Sequence, residues 1–122
     1  VATSARDTDF TARLVDVAPD GQALNIRDSV LRLRYRQGVT APLAATPGEV
    51  YPIIVELGDI AWYLPAGHRL RLQVSSSNFP RLERNLNGGG DNATATEPVV
   101  ATNEVHHGPD RTSWVEFPVL GP

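Results

Sequence analysis

Cysteine is absent from this chain of 122 residues, which excludes disulfide staples and thiolate metal sites. That absence suits a reducing compartment but is also common in exported bacterial proteins, so it leaves the compartment open. Lysine is absent too. All 11 basic residues are arginine, a bias that a GC-rich coding sequence accounts for. No apolar run approaches the ~20 residues that a helix needs to cross a bilayer, and no membrane partner is expected. With 14 acidic residues the net charge is −3, so general attraction to nucleic acid is not expected either. The chain opens on Val1 with no charged stretch leading into an apolar one, so no signal-peptide pattern is read and localisation is not assigned.

What is present suits one folded domain over residues 1–122. Hydrophobic residues make up 41%, and 10 Gly and 10 Pro divide the chain into short segments, a punctuation that favours strands over helices. Phe10, Ala12 and Leu14 alternate, then the pattern slips to Val15 and Val17, which predicts a bulge or a strand buried on both faces. Ala18-Pro19-Asp20-Gly21 is a turn, and Ala23 to Ile26 returns from it. Leu31, Leu33 and Tyr35 alternate with Arg32, Arg34 and Arg36, which predicts a strand over 30–36 with one solvated or salt-bridged face.

Residues 37–48 read as a loop, and 49–57 as a β-branched strand whose Pro52 suggests an edge or a bulge. Pro65-Ala66-Gly67 is a turn. It leads into a strand over 69–77 with Leu70, Leu72 and Val74 on one face and Arg69, Arg71 and Gln73 on the other. Residues 81–97 are polar and glycine-rich and read as a surface loop. Closing strands are expected over 98–105 and 114–120. About seven or eight short strands in all predict an all-β, jelly-roll β-sandwich.

Candidate chemistry is sparse. The G-x-S-x-G elbow of a serine hydrolase is missing, and Ser75, Ser76 and Ser77 end an amphipathic strand, where serines pair backbone groups or bond across strands. His106 and His107 are adjacent, so on a strand they point to opposite faces and do not share a metal. His68 follows a turn with no partner visible in the sequence. The 85–92 loop has too few carboxylates for a calcium site, and no cofactor is expected. Trp62, Tyr63, Phe79 and Trp114 read first as core or interface residues and second as a sugar-stacking platform.

The ordered blocks Asp7-Thr8-Asp9-Phe10, Leu14-Val15-Asp16-Val17-Ala18-Pro19-Asp20-Gly21, Val30-Leu31-Arg32-Leu33-Arg34-Tyr35-Arg36 and Pro65-Ala66-Gly67-His68-Arg69-Leu70-Arg71-Leu72, continuing through Ser75-Ser76-Ser77-Asn78-Phe79-Pro80-Arg81 to Arg84-Asn85, cover nearly the whole sequence. Together they resemble the C-terminal non-catalytic domain of the X-Pro dipeptidyl-peptidase and cocaine esterase family of serine hydrolases. The resemblance implies a galactose-binding-like jelly roll that packs on an α/β-hydrolase domain, which holds the catalytic triad and acts on small amide or ester substrates. It leaves room for a short helical turn over 27–30. It also implies that this chain is the later part of such a domain, incomplete at its N-terminal side, with an exposed sheet edge. Self-association or low solubility is then expected.

The resulting expectation is an accessory domain of a peptidase, esterase or acylase with no active site of its own. Asn78, Phe79, Arg81, His106 and His107 are its candidate interdomain or pocket-wall residues, since aromatic and arginine side chains favour interface cores. The alternative is a carbohydrate-binding module using Trp62 or Trp114. A third reading, a self-sufficient esterase, requires turnover of an activated ester that a serine-directed phosphonate abolishes.

Overall fold

In the computed structural model, which describes residues 1–119, the chain is all-β, with two antiparallel sheets in a sandwich-like arrangement. Strand β1 (Ala2–Thr3) pairs with β5 (Asn103–Glu104), and β2 (Asp9–Val17) lies between β3 (Ala23–Arg32) and β4 (Arg69–Ser75). Among the described residues the one helical element is a 3₁₀ turn at Leu33–Tyr35.

The slip in the β2 pattern marks a strand buried on both faces, with eight of its nine residues buried. The register shift opposite Leu14 and Val15 comes from an extra residue, Ile26, in β3, while β2 keeps unbroken register with β4. The hairpin turn closes as its residues predict, with Ala18 N donating to Gln22 O at 2.8 Å and Gly21 at φ +91°. That left-handed position carries no steric penalty for glycine. Asp20 Oδ1 accepts from Gln22 N at 2.9 Å and fixes the corner.

Four expectations are corrected. The 27–30 helical turn does not form, because β3 runs unbroken through those residues. The strand expected over 30–36 ends at Arg32, where Leu33–Tyr35 coil and turn the three arginines toward different partners. Residues 51–57 keep the alternation of a strand, with Tyr51, Ile53, Val55 and Leu57 half-buried and Pro52, Ile54 and Glu56 exposed. They find no ladder, however; beside them stands only the isolated Ala2–Val50 bridge, with Tyr51 N donating to Val1 O at 2.8 Å. Of the closing strands, 98–105 pairs only at Asn103–Glu104, and 114–119 has no ladder, while Leu120 lies outside the described residues. Five strands are therefore assigned among the described residues.

The core lies at the N-terminal end of β2. Phe10, Leu33 and Ala45 pack there, with Val1, Tyr51 and Ile53 around them. Register sorts the three-stranded sheet into two faces. Ala12, Leu14 and Asp16 oppose Val74, Leu72 and Leu70 on an apolar face, while Thr11, Arg13, Val15 and Val17 oppose Ser75, Gln73, Arg71 and Arg69 on a charged one.

Candidate interdomain surface

Three polar clusters grow from β2. The first is buried at its start. Asp7 is fully buried and Asp9 nearly so, positions that carboxylates occupy only when paired. Arg32 grips Asp9 in bidentate fashion, Nε to Oδ1 at 2.9 Å and Nη2 to Oδ2 at 3.1 Å. These bonds raise the Arg32 pKa above its ordinary value and outweigh desolvation. Asp7 accepts from the Arg34 backbone N–H at 2.9 Å, and Arg34 Nε lies 3.3 Å from its Oδ2. Asn85 joins the two acids, donating to Asp7 Oδ2 at 2.9 Å and Asp9 Oδ1 at 2.8 Å. Every acid there has a matching donor, so the cluster organises the fold.

The second cluster stands on the apolar face near the end of β2. Buried Asp16 takes the Trp62 indole N–H at Oδ2, 3.1 Å, and His68 Nδ1 lies 2.7 Å from its Oδ1. His68 thus has a partner that its sequence neighbourhood does not show. An acid placed inside the apolar run Leu14-Val15-Asp16-Val17 was the signal for it. Ser75 projects from the opposite face, where its Oγ lies 2.6 Å from Thr11 Oγ1 and donates to Ser77 O at 3.0 Å. A Ser-His-Asp triad is therefore not assembled from these residues; Ser75 makes the cross-strand bond expected of it.

The third cluster contains the candidate corner. On the charged face a groove of about 580 Å³ runs along Thr11, Arg13, Gln73 and Ser75 to Asn78 and Phe79. Asn78 crosses it: Arg13 Nη2 donates to its Oδ1 at 3.1 Å, and its Nδ2 donates to Asp28 Oδ2 at 2.7 Å. Arg81 closes the row with an ion pair to Asp28. Phe79 is 62% exposed, enough to leave an aromatic face at the groove rim, with the Arg84 guanidinium 5.1 Å from its ring centre. The Phe79–Pro80 peptide is cis. Asn78, Phe79 and Arg81 are thus brought together.

His106 and His107 are not part of that group. They follow β5 in the other sheet; His106 is half-buried, with Nε2 3.5 Å from Glu104 Oε2, and His107 is exposed. Ser113 Oγ donates to His106 O at 2.6 Å. Sequence reasoning missed Arg13 and Asp28, which fix Asn78 from β2 and β3. Arg13, set between Ala12 and Leu14, was the one available signal.

Groove, corner and buried acid network describe a β domain with prepared surfaces and no assembled nucleophile among its described residues. Residues 1–116 match the model for the X-Pro dipeptidyl-peptidase C-terminal non-catalytic domain, and the chain belongs to that family. It is 42% identical over 122 residues to cocaine esterase from Rhodococcus sp. (strain MB1 Bresler), a match that covers 98% of this chain and 21% of that relative. The chain therefore spans about a fifth of the relative's length.

Proposed function

We propose that this chain is the accessory β-sandwich portion of a serine hydrolase acting on small amide or ester substrates, and that it packs on an α/β-hydrolase catalytic domain of the same polypeptide and helps to wall its pocket. The observation that carries the reading is the unfinished state of β4. Leu70, Leu72 and Val74 form a regular apolar row yet remain 43%, 41% and 47% exposed, and among the described residues β4 has a neighbour on one edge only. An apolar row and an unpaired edge call for cover, and the family match over a fifth of a longer relative supports a source for it in the rest of the polypeptide. Preceding strands would complete a jelly roll of the galactose-binding-like kind over that row.

The corner residues Asn78, Phe79 and Arg81 are the first candidates for contact with the catalytic domain, and His106 and His107 form a second, separate patch. Phe79→Ala and Arg81→Ala in the longer polypeptide are expected to lower both its unfolding midpoint and its turnover of an amide or ester. Unchanged stability and turnover in both variants would overturn the role assigned to the corner.

A further inference from the structure

The charged face of the three-stranded sheet carries a row of cations without counter-charges. Arg13, Arg69 and Arg71 share that face by register and are all exposed. Arg71 is diagonal to Arg13 across the strand pair, a separation of about 7–8 Å. Arg69 lies one side-chain repeat further along β4, about 7 Å away. Like charges at this spacing repel one another, yet none of the three has an ion-pair partner among the described residues.

The one acid in register with them, Asp28 opposite Arg13, is 8% exposed and already held by Arg81 and Asn78. Beyond the groove the corner is mixed, with Arg81 paired to Asp28 and an exposed Glu83 beside Arg84, so the unpaired row is Arg13, Arg71 and Arg69. A single-sign field on a chain of net charge −3 is a segregated one, and such fields select complementary surfaces. Beneath it Val15 and Val17 are buried, with Arg71 and Arg69 directly opposite, where arginine stems shield apolar neighbours and leave their heads at the surface.

We infer that this face docks a carboxylate-bearing segment of the longer polypeptide, from the portion outside this chain, whose matched length is only 21% of its relative. The inference rests on the accessory-domain reading and adds to it the chemistry of the partner surface. A nucleic-acid occupant is disfavoured by the net negative charge, which opposes the phosphate backbone beyond the row itself.

Arginine modification by phenylglyoxal, mapped by peptide mass spectrometry, tests this in the longer polypeptide. Arg69 and Arg71 are expected to react about tenfold more slowly in the native protein than in the same protein unfolded in urea, and to lose that protection as salt rises. Arg69→Glu with Arg71→Glu is expected to lower the unfolding midpoint more at low salt than at high salt, and the glutamine pair less. Full reactivity of Arg69 and Arg71 with Arg81 protected overturns this inference and leaves the accessory-domain reading standing. Full reactivity of all three removes both. Salt-insensitive protection with equal effects of Glu and Gln overturns the acidic occupant, as does protection that appears only on adding a nucleic-acid duplex.

Discussion

Strands β2 and β4 lie side by side, each with an alternating apolar stretch, and they live in different surroundings. Of the nine residues of β2, eight are buried and only Arg13 is exposed; all seven of β4 are exposed. Both strands place leucines on the same face, yet Leu14 is 4% exposed and its cross-strand partner Leu72 is 41%. The difference comes from neighbours: among the described residues β2 has a strand on each side, and β4 has one. A period-2 pattern fixes which side chains share a face, while burial depends on elements that the pattern does not mention.

The largest expected effect breaks this comparison at the core. Phe10→Ala removes a side chain that is 2% exposed and packed on Leu33 and Ala45, at a cost of about 3–5 kcal/mol. Leu72→Ala should cost this chain less than about 1 kcal/mol, since much of the leucine is already in water. In the longer polypeptide, a covered β4 would raise the Leu72→Ala cost to about 2–5 kcal/mol. Urea unfolding of both variants in both contexts measures the contrast, and an equal, small Leu72 effect in each would mean that the row stays uncovered.

A second contrast concerns two ion pairs. Asp7→Ala leaves Arg34, itself 9% exposed, without its carboxylate, and should destabilise the chain by about 3–5 kcal/mol. Arg81→Ala breaks a pair whose arginine side chain is 62% exposed, and in this chain alone should cost about 1 kcal/mol or less. Denaturant midpoints that rank the two variants in the opposite order would remove the structural role given to the Asp7 cluster.

Local signals in the sequence translated well. The slip after Leu14 became a strand buried on both faces, Ala18-Pro19-Asp20-Gly21 became the hairpin turn, and the strand expected over 69–77 became β4, two residues shorter. What the sequence concealed depends on distant partners. Arg32, Arg34 and Arg36 read as one solvated or salt-bridged face, and the salt bridges form, but their partners are not visible locally: Arg32 meets Asp9 across 23 positions and Arg34 reaches Gly90 across 56. Residues 51–57 have the composition of a strand, and composition does not supply the neighbour that a ladder requires. At the candidate site, the aromatic–arginine corner was legible as residue types. The Arg13–Asn78–Asp28 bridge that holds it was not, because its hydrogen bonds span 65 and 50 positions.

The smallest expected effect sharpens the comparison at the edge of the sheet. β4 presents unpaired backbone groups beside the exposed Leu70, Leu72 and Val74, the combination that lets one chain add its strand to another. This chain in isolation is therefore expected to gain mass with concentration in light scattering. Val74→Lys places a charge on the apolar row, the device by which natural edge strands resist pairing. Since Val74 is 47% exposed, the substitution should change the stability of the monomer by no more than about 1 kcal/mol while reducing the association. β2, paired on both sides, offers no such edge. A mass independent of concentration before the substitution would show that the free edge of β4 is already protected by its own twist and arginines.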